Sequence, residues 1–373
     1  MKWRKMNWPK LSWPPRAAFR IELPDLQLAA RATIAATVAY LLADWFDLPK
    51  GYWAVLTAIL VVQSSIGASV AAAFDRCLGT VSGGALGVLF AILAGPSFPL
   101  TVLLLAVGTF LTALLVARNP GFKLAPVTLG IVMLADPTHA DPWMSGLERV
   151  FEIGIGGGVG LACALFVLPA KALGYLFPHV ADALEGCADL VDAGVAGLLD
   201  GGLDPAAVDA LNADVRAALR AADVRAGEAR RERVGRLGAQ SDPGPVVRGG
   251  RRLWHSVIML MRGADHALSP RLSAEVGPSL SAAARAITAL ARAIAASLRA
   301  PGANPEAVDA SAAIAAVAAL DAEMERLTRD GAFTGEGASL VRLAAAVAAF
   351  EHMKENLSDL ATRIAEIRAA RDV

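Results

Sequence analysis

The sequence predicts an all-α fold: a polytopic membrane protein with six transmembrane helices followed by a soluble cytoplasmic helical bundle. Of the 373 residues, 55% are hydrophobic, which is high for a soluble protein and low for a chain lying wholly in a bilayer. Long apolar segments fall within residues 28–170, and the composition changes after Lys171. We therefore divide the chain into a basic arm (1–27), a six-helix transmembrane domain (28–170) and a cytoplasmic helical domain (171–373).

The first 27 residues are basic and contain Trp3, Trp8 and Trp13. Basic groups attract anionic lipid and indoles settle at the headgroup level, so we interpret this segment as an arm on the cytoplasmic membrane surface. A disordered tail is the alternative. The first 20 residues lack an apolar core, so no cleavable signal peptide is expected.

Six apolar segments follow the arm. A bilayer core requires about 20 helical residues, and the second and fifth segments reach that length only with flanking residues or as broken helices. The six segments are 28–46, 52–63, 69–93, 99–117, 124–135 and 148–168.

The links between these segments predict the orientation. Lysine and arginine fall on alternate links: the arm, the stretch with Arg76, the link with Arg118 and Lys123, and Lys171 after the sixth segment. The positive-inside bias then places both termini in the cytoplasm. We expect a multi-pass protein of the bacterial inner (plasma) membrane.

The remainder of the chain shows helical spacing interrupted by glycine and proline. Asp204-Pro205 and Asn304-Pro305 have the form of an N-cap followed by a proline at the first helical position. The basic run 225–236 is interpreted as a solvated face, with a contact to lipid headgroups or a partner as the alternative. The predicted helices are 172–199, 205–239, 246–268, 280–298, 305–329 and 338–370.

The third segment carries the first candidate site. Asp75 and Arg76 stand beside a ladder of helix-packing glycines, Gly79, Gly83 and Gly87, which lets a neighbouring backbone approach closely. Arg76 would then face the bundle interior and hold a carboxylate through two parallel hydrogen bonds. The alternative is that Asp75 and Arg76 mark the cytoplasmic end of the helix.

The sixth segment carries the second candidate site. Arg149 and Glu152 are one helical turn apart and can pair on one face. Gly154 and Gly158 follow within a run of glycines that indicates tight helix packing or local unwinding beside a cavity. Glu152 is either a proton carrier or part of a structural ion pair, and Asp75 has the same two alternatives.

The polar side chains among the apolar segments complete the candidate set. Thr128 lies in the short fifth segment, between a proline and a glycine, which is typical of broken helices that line transport sites. Arg31, in the first segment, is expected to snorkel to the cytoplasmic headgroups. The predicted substrate-binding residues are Arg76, Arg149, Gln63, Thr80 and Thr128.

Several function classes are disfavoured. The net charge is zero, so no nucleic-acid partner is expected. The histidines are scattered, so we assign no metal, and no nucleotide-binding or nucleophile–base motif is present, so we assign no cofactor, no catalytic residue and no enzyme activity. Cys77, Cys163 and Cys187 are expected to be free thiols.

The membrane half resembles the FUSC superfamily, the fusaric acid resistance and aromatic acid exporter proteins, which are related to plant aluminium-activated malate transporters. The resemblance is carried by Arg31, the stretch 51–63 (GYWAVLTAILVVQ), the stretch 75–80 (DRCLGT) and the stretch 148–156 (ERVFEIGIG). It implies a six-helix membrane unit with a cytoplasmic helical domain, and export or conduction of organic anions without ATP hydrolysis. Many relatives join two such units, so a single unit implies a homodimer. The resemblance also suggests a periplasmic adaptor protein as a further partner.

Three functions therefore stand as hypotheses. The first is export of small organic anions, aromatic carboxylic acids above all, with Arg76 binding the carboxylate. The second is a passive organic-anion channel. The third is a membrane scaffold that recruits partners through its cytoplasmic bundle.

Overall fold

The computed structural model describes residues 23–134, 142–234, 242–300 and 308–369. Every regular element in these ranges is a helix. Most of the predicted arm, the middle of the link between the fifth and sixth segments, and the Asn304-Pro305 cap lie outside the described residues. Within these ranges the chain divides into two compact units, an N-terminal unit (residues up to 64 and 72–169) and a C-terminal unit (residues 65–71 and from 170 onward).

Each of the six predicted apolar segments contains a helix. Four of these helices are long and apolar enough to cross a membrane, namely α1, α3, α4 and α6. The other two have 10 residues each, and at 1.5 Å per residue they span about 15 Å, half of a bilayer core. The six helices are α1 (Leu23–Trp45), α2 (Tyr52–Val61), α3 (Ile66–Ala94), α4 (Phe98–Arg118), α5 (Ala125–Leu134) and α6 (Pro142–Phe166).

The glycine ladder of α3 packs against α5. A Cβ atom added at Gly83 would lie 2.2 Å from the Ala125 carbonyl oxygen, and one at Gly79 would lie 2.8 Å from Leu124 Cβ. A Cβ atom added at Gly87 would lie 2.9 Å from the Cβ atom of Val132 on α5. Only glycine fits where backbones approach this closely, so the ladder fixes the two helices side by side.

The glycines of α6 pack differently from the prediction. Nothing lies within 4 Å of a Cβ atom built at Gly154 or Gly158, so these two residues do not pack against the described chain. Instead, Gly156 and Gly160 face α2, and a Cβ atom at Gly156 would lie 2.2 Å from the Ala54 carbonyl oxygen. The run offers glycine on several faces of one helix, and the sequence alone does not show which face meets a neighbour.

The C-terminal unit is a bundle around an extensive core of alanine, leucine and valine. The predicted Asp204 cap is confirmed, because its Oδ1 accepts a hydrogen bond from the Ala206 amide at 3.0 Å. The helices of this unit are α7 (Ala172–Asp200), α8 (Pro205–Val234), α9 (Gly244–Gly263), α10 (Pro270–Arg299), α11 (Ser311–Arg329) and α12 (Gly337–Ala369).

Three predicted boundaries in this bundle are wrong: α9 ends at Gly263 rather than at residue 268, α11 begins at Ser311 rather than at residue 305, and α10 begins earlier than expected. Helix α10 was expected to begin at residue 280, after Pro278, but it begins at Pro270 behind a Ser269 cap and contains Pro278 in its interior. Leu272 and Val276 are fully buried in the core. The packing of these two side chains stabilises the first turns of α10 as helix, although a proline inside a helix is unfavourable by itself.

The C-terminal unit includes the first turn of α3. Glu232 of α8 is 2% exposed and accepts hydrogen bonds from the Gly67 amide at 2.9 Å and the Ala172 amide at 3.1 Å. These amides belong to the first turns of α3 and α7, so one carboxylate caps two helices.

A second carboxylate of α8 lies one turn away. Glu228 accepts a hydrogen bond from Ser65 Oγ at 2.7 Å, and Arg225 Nη1 lies 2.9 Å from it. Ser65 Oγ in turn accepts from the Ala68 amide at 3.1 Å and so caps α3. The sequence predicted a solvated face for the run 225–236. Among its described residues, exposed arginines such as Arg230 agree with that prediction, whereas the carboxylates of Glu228 and Glu232 are buried.

Candidate anion site

The described N-terminal unit buries three guanidinium groups and one carboxylate among apolar side chains. Arg31 and Glu152 are 0% exposed, Arg149 is 3% exposed and Arg76 is 7% exposed. Guanidinium remains protonated in proteins, so the buried set carries an excess of two positive charges. Burying such charges without counter-ions is unfavourable, and they mark candidate sites for an anionic ligand.

Arg76 bonds to a neutral partner. Its Nε and Nη2 atoms donate to Thr57 Oγ1 at 3.3 and 3.0 Å. No carboxylate of the described residues lies within ion-pair distance of Arg76. Thr80, predicted to bind substrate, donates to the Arg76 backbone carbonyl at 2.7 Å and is buried beside it. Thr57 thus occupies the edge of the guanidinium that typically binds a carboxylate.

Arg149 has a charged partner and an aromatic one. Its Nη1 atom lies 3.1 Å from Glu152 Oε2, which is the pairing expected from their spacing. Its guanidinium carbon lies 4.4 Å from the centre of the Trp53 ring, within cation–π range. The Trp53 ring therefore covers this buried cation. Arg76 bonds to Thr57, one helical turn from Trp53 on α2, so the two positive charges lie near each other and repel.

Arg31 does not snorkel to the headgroups as predicted. It is among the largest fully buried side chains of the described chain. Its Nε atom donates to the Gln27 carbonyl at 3.3 Å and its Nη2 atom to the Ser64 carbonyl at 3.4 Å. The alanine-rich surface of α1 packs against α2 and α6, and this packing encloses the side chain.

All three arginines meet the short segment formed by α2 and the residues just after it. Arg149 lies over Trp53, Arg76 bonds to Thr57, and Arg31 bonds to the Ser64 carbonyl. Trp53 and Thr57 are four residues apart and so lie on one face of α2. This segment therefore organises the buried charges of the unit.

The structure gives the other predicted residues the following neighbours. Gln63 Nε2 donates to the Leu60 carbonyl at 2.8 Å, just after α2 ends. Asp75 lies 3.9 Å from Lys123 Nζ and does not pair with Arg76. Thr128 is buried on α5, where its methyl group would lie 4.0 Å from a Cβ atom at Gly84.

An apolar groove of about 440 Å³ is lined by residues of α3 and α6. On α3 it includes Gly84 and Val88, which continue the helix face of Arg76 and Thr80 at four-residue spacing. On α6 it includes Gly146 and Val150, which flank Arg149 in sequence. The groove and the buried charges therefore share the same two helices.

Sequence reasoning missed two members of this site. Thr57 is the single threonine or serine of α2, and its position four residues after Trp53 was the available signal. Arg31 was recognised but placed at the membrane surface, because burial by neighbouring helices leaves no mark in the local sequence.

Comparisons with known proteins bear on the same part of the chain. Residues 38–163 match the family described as fusaric acid resistance protein-like. An uncharacterised protein of Escherichia coli, YhfK, is 29% identical over 44% of this chain and 23% of its own length. An uncharacterised protein of Haemophilus influenzae is 23% identical over 40% of this chain and 21% of its own length.

A third relative is the UPF0421 protein OB2406 of Oceanobacillus iheyensis, which is 29% identical over 36% of this chain and 38% of its own length. The chain thus spans between about a fifth and two fifths of the length of these curated relatives. The family match and the four long apolar helices together indicate a multi-pass membrane protein. The stretch that matches the fusaric acid resistance protein-like family, residues 38–163, contains Arg76 and Arg149.

Proposed function

We propose that this protein exports small organic anions, aromatic carboxylates above all, across the bacterial inner membrane without ATP hydrolysis. One observation carries the proposal: three guanidinium groups and one carboxylate are buried in an apolar unit. A bound monocarboxylate lowers the excess positive charge and supplies the acceptor that a buried guanidinium requires. The family match supports membrane transport or efflux as the general function.

The carboxylate binds at Arg76. The Thr57 hydroxyl oxygen bridges Nε and Nη2, as a carboxylate does in a two-bond pair. The Nη1 and Nη2 atoms of Arg76 carry N–H donors that Thr57 does not use, and an incoming carboxylate forms charge-assisted bonds to them while Thr57 holds the side chain in place. Arg149 adds attraction from the neighbouring helix, which raises the local affinity for anions.

The apolar body of the substrate lies in the groove between α3 and α6. Its volume of about 440 Å³ exceeds the roughly 150 Å³ of a cavity that holds benzene. Its lining is almost wholly apolar, which suits a ring and offers nothing to a second charge. A charged head at the arginines and an apolar ring in the groove together describe an aromatic monocarboxylate.

Glu152 couples transport to protons in this proposal. It is buried and lies 3.1 Å from Arg149. Protonation of the carboxyl would release Arg149 from its ion pair and leave its charge free to attract the substrate. The same arrangement serves a passive channel if Glu152 keeps its charge throughout, so the two modes differ in their response to a pH gradient.

The proposal includes a homodimer with six membrane segments per chain and both termini in the cytoplasm. Helix α4 supports a lipid or subunit contact, because only Gly108 and Thr112 of its residues are buried. Helices α2 and α5 are then the short, half-length members of the six, and α2 carries Thr57 and Trp53, which contact Arg76 and Arg149.

Uptake of radiolabelled benzoate into proteoliposomes tests the proposal. We expect Arg76→Gln to lower the initial rate by about tenfold or more, since 1.4 kcal/mol of lost binding corresponds to a factor of ten. Arg118→Gln is the matched control, because Arg118 is an exposed arginine at the end of α4. Equal rates in wild type and Arg76→Gln protein of unchanged helicity would contradict the proposal.

The same vesicles separate a coupled exporter from a channel. An imposed pH gradient drives benzoate accumulation against its concentration in a proton-coupled exporter, and Glu152→Gln abolishes that accumulation. In a passive channel, the flux follows the membrane potential alone and reverses at the equilibrium potential of the anion.

A further inference from the structure

Arg31 is a buried cation to which the proposed function assigns no role. It lies on α1, whereas Arg76 and Arg149 lie on α3 and α6. Its two hydrogen bonds go to the backbone carbonyls of Gln27 and Ser64, both neutral acceptors. No carboxylate of the described chain lies within ion-pair distance of it.

One nitrogen of Arg31 is unsatisfied. The Nη1 atom is buried and has no hydrogen-bond partner among the described residues. A buried donor without an acceptor costs free energy, and more so when it carries charge. A full positive charge and a free donor at one buried atom together point to a missing anionic acceptor.

The position of Arg31 separates it from the first site. Arg76 bonds to Thr57 and Arg31 bonds to the Ser64 carbonyl, seven residues further along the chain. At 1.5 Å per helical residue this corresponds to about 10 Å along α2, and slightly more because the chain leaves the helix after Val61. One small carboxylate cannot bridge two guanidinium groups at that spacing, so Arg31 requires a ligand of its own.

The charge count gives the number of ligands. Arg149 is neutralised by Glu152, while Arg76 and Arg31 each lack a counter-ion in the described chain. Two monocarboxylates would neutralise the buried set. We propose that Arg31 is a second carboxylate-binding station for the same organic anion, so that the anion passes between Arg31 and Arg76 along α2. This inference rests on the proposed transport of organic anions.

Equilibrium binding tests it. The purified full-length protein in nanodiscs of zwitterionic lipid is titrated with radiolabelled benzoate, which leaves benzoate as the main organic anion available to Arg31. We expect two benzoate molecules per chain at saturation in wild type, one in Arg31→Gln and one in Arg76→Gln. Arg31→Lys keeps the charge and is expected to retain two molecules with weaker affinity at one of them.

The outcomes distinguish this inference from the proposed function. One molecule in wild type, lost in Arg76→Gln and kept in Arg31→Gln, overturns the second station and leaves the first site intact. No binding in any of these proteins overturns both. A third outcome is that wild type binds two benzoate molecules in zwitterionic lipid but only one after anionic phosphatidylglycerol is added. That result would identify Arg31 as a site for a lipid phosphate and would also overturn the inference.

A measurement on wild type covers the case in which Arg31→Gln fails to fold. A structure determined with 4-iodobenzoate places an electron-dense iodine atom beside each bound carboxylate. Iodine density within reach of Arg31, separate from that beside Arg76, supports the second station. Density beside Arg76 alone, at saturating ligand, overturns it.

Discussion

Thr57 is the side chain on which the orientation of Arg76 depends. It is fully buried, and its hydroxyl accepts both hydrogen bonds that the structure assigns to the guanidinium. A neutral acceptor holds the guanidinium in place without neutralising it. The charge therefore stays available to a ligand while the side chain is already oriented, which lowers the entropic cost of binding.

The substitution Thr57→Val tests this role. Valine has nearly the same shape and removes the acceptor, which typically costs about 1–3 kcal/mol when the donor is charged and buried. We expect the KM for benzoate transport to rise by about tenfold, with little change in the maximal rate. The measurement is the concentration dependence of uptake into proteoliposomes.

Thr112→Val is the matched control, because Thr112 is equally buried but donates to the carbonyl of Gly108 in its own helix. Thr57→Ser keeps the hydroxyl and is expected to restore the wild-type KM. A wild-type KM in Thr57→Val protein would mean that Arg76 is oriented by other contacts.

At the scale of single elements, α3 shows how backbone approach sets helix packing. Gly83 and Gly84 are adjacent, yet a Cβ atom would lie 2.2 Å from a backbone oxygen at Gly83 and 4.0 Å from the nearest atom at Gly84. The first position has no room for a methyl group, because the obstacle is backbone and cannot rotate away. The second position has room.

We therefore expect Gly83→Ala to destabilise the protein by roughly 1–3 kcal/mol, as overpacking of a close-packed interior does. Gly84→Ala is the control and should be neutral or stabilising, since alanine is favoured over glycine in helices by about 1 kcal/mol. Thermal unfolding of both purified variants, followed by circular dichroism, measures the difference. A lower midpoint for Gly84→Ala than for Gly83→Ala would contradict the packing described for α3 and α5.

The elements differ in how well the sequence predicts them. The six apolar segments are recognisable because burial in lipid requires uninterrupted apolar residues, and Arg149 and Glu152 are recognisable as a pair because helical spacing is local. The partner of Arg76 cannot be recognised in this way, because Thr57 belongs to another helix. The start of α10 was missed because tertiary packing of Leu272 overrides the local effect of Pro278.

At the scale of the whole molecule, Glu232 connects elements that are distant in sequence. It accepts from Gly67 and Ala172, which are separated by more than a hundred residues. Burial raises the pKa of the Glu232 carboxyl above its usual value of 4.5, although the two backbone amides and Lys171 act in the opposite direction. The neighbouring Glu228 carboxylate also raises it.

This shift predicts a pH dependence of stability. Between pH 4.5 and the raised pKa of Glu232, the folded protein holds a proton that the unfolded chain has released. The contribution of Glu232 to stability is therefore greatest below pH 4.5 and decreases as the pH rises through that window. Glutamine does not titrate and retains an acceptor oxygen, so the stability of Glu232→Gln relative to wild type should rise across the same window.

The measurement is the unfolding midpoint of both proteins as a function of pH, with Glu325→Gln as the control because Glu325 is an exposed carboxylate of the same unit. A parallel pH dependence of wild type and Glu232→Gln would show that Glu232 keeps its ordinary pKa. Hydrogen exchange gives an independent check, since Glu232→Ala should accelerate exchange at the first turns of α3 and α7 together.

The two caps held by Glu232 have a consequence for any attempt to study the halves of the chain separately. The change in composition suggests a fragment that ends at residue 170. Such a fragment would lack Glu232, which accepts from the Gly67 amide, and Glu228, which accepts from the Ser65 hydroxyl at the start of α3. Inactivity of such a fragment would then report a frayed helix rather than the role of the missing half. Substitutions on α8 that leave the polypeptide whole are the sounder way to ask what the C-terminal bundle contributes.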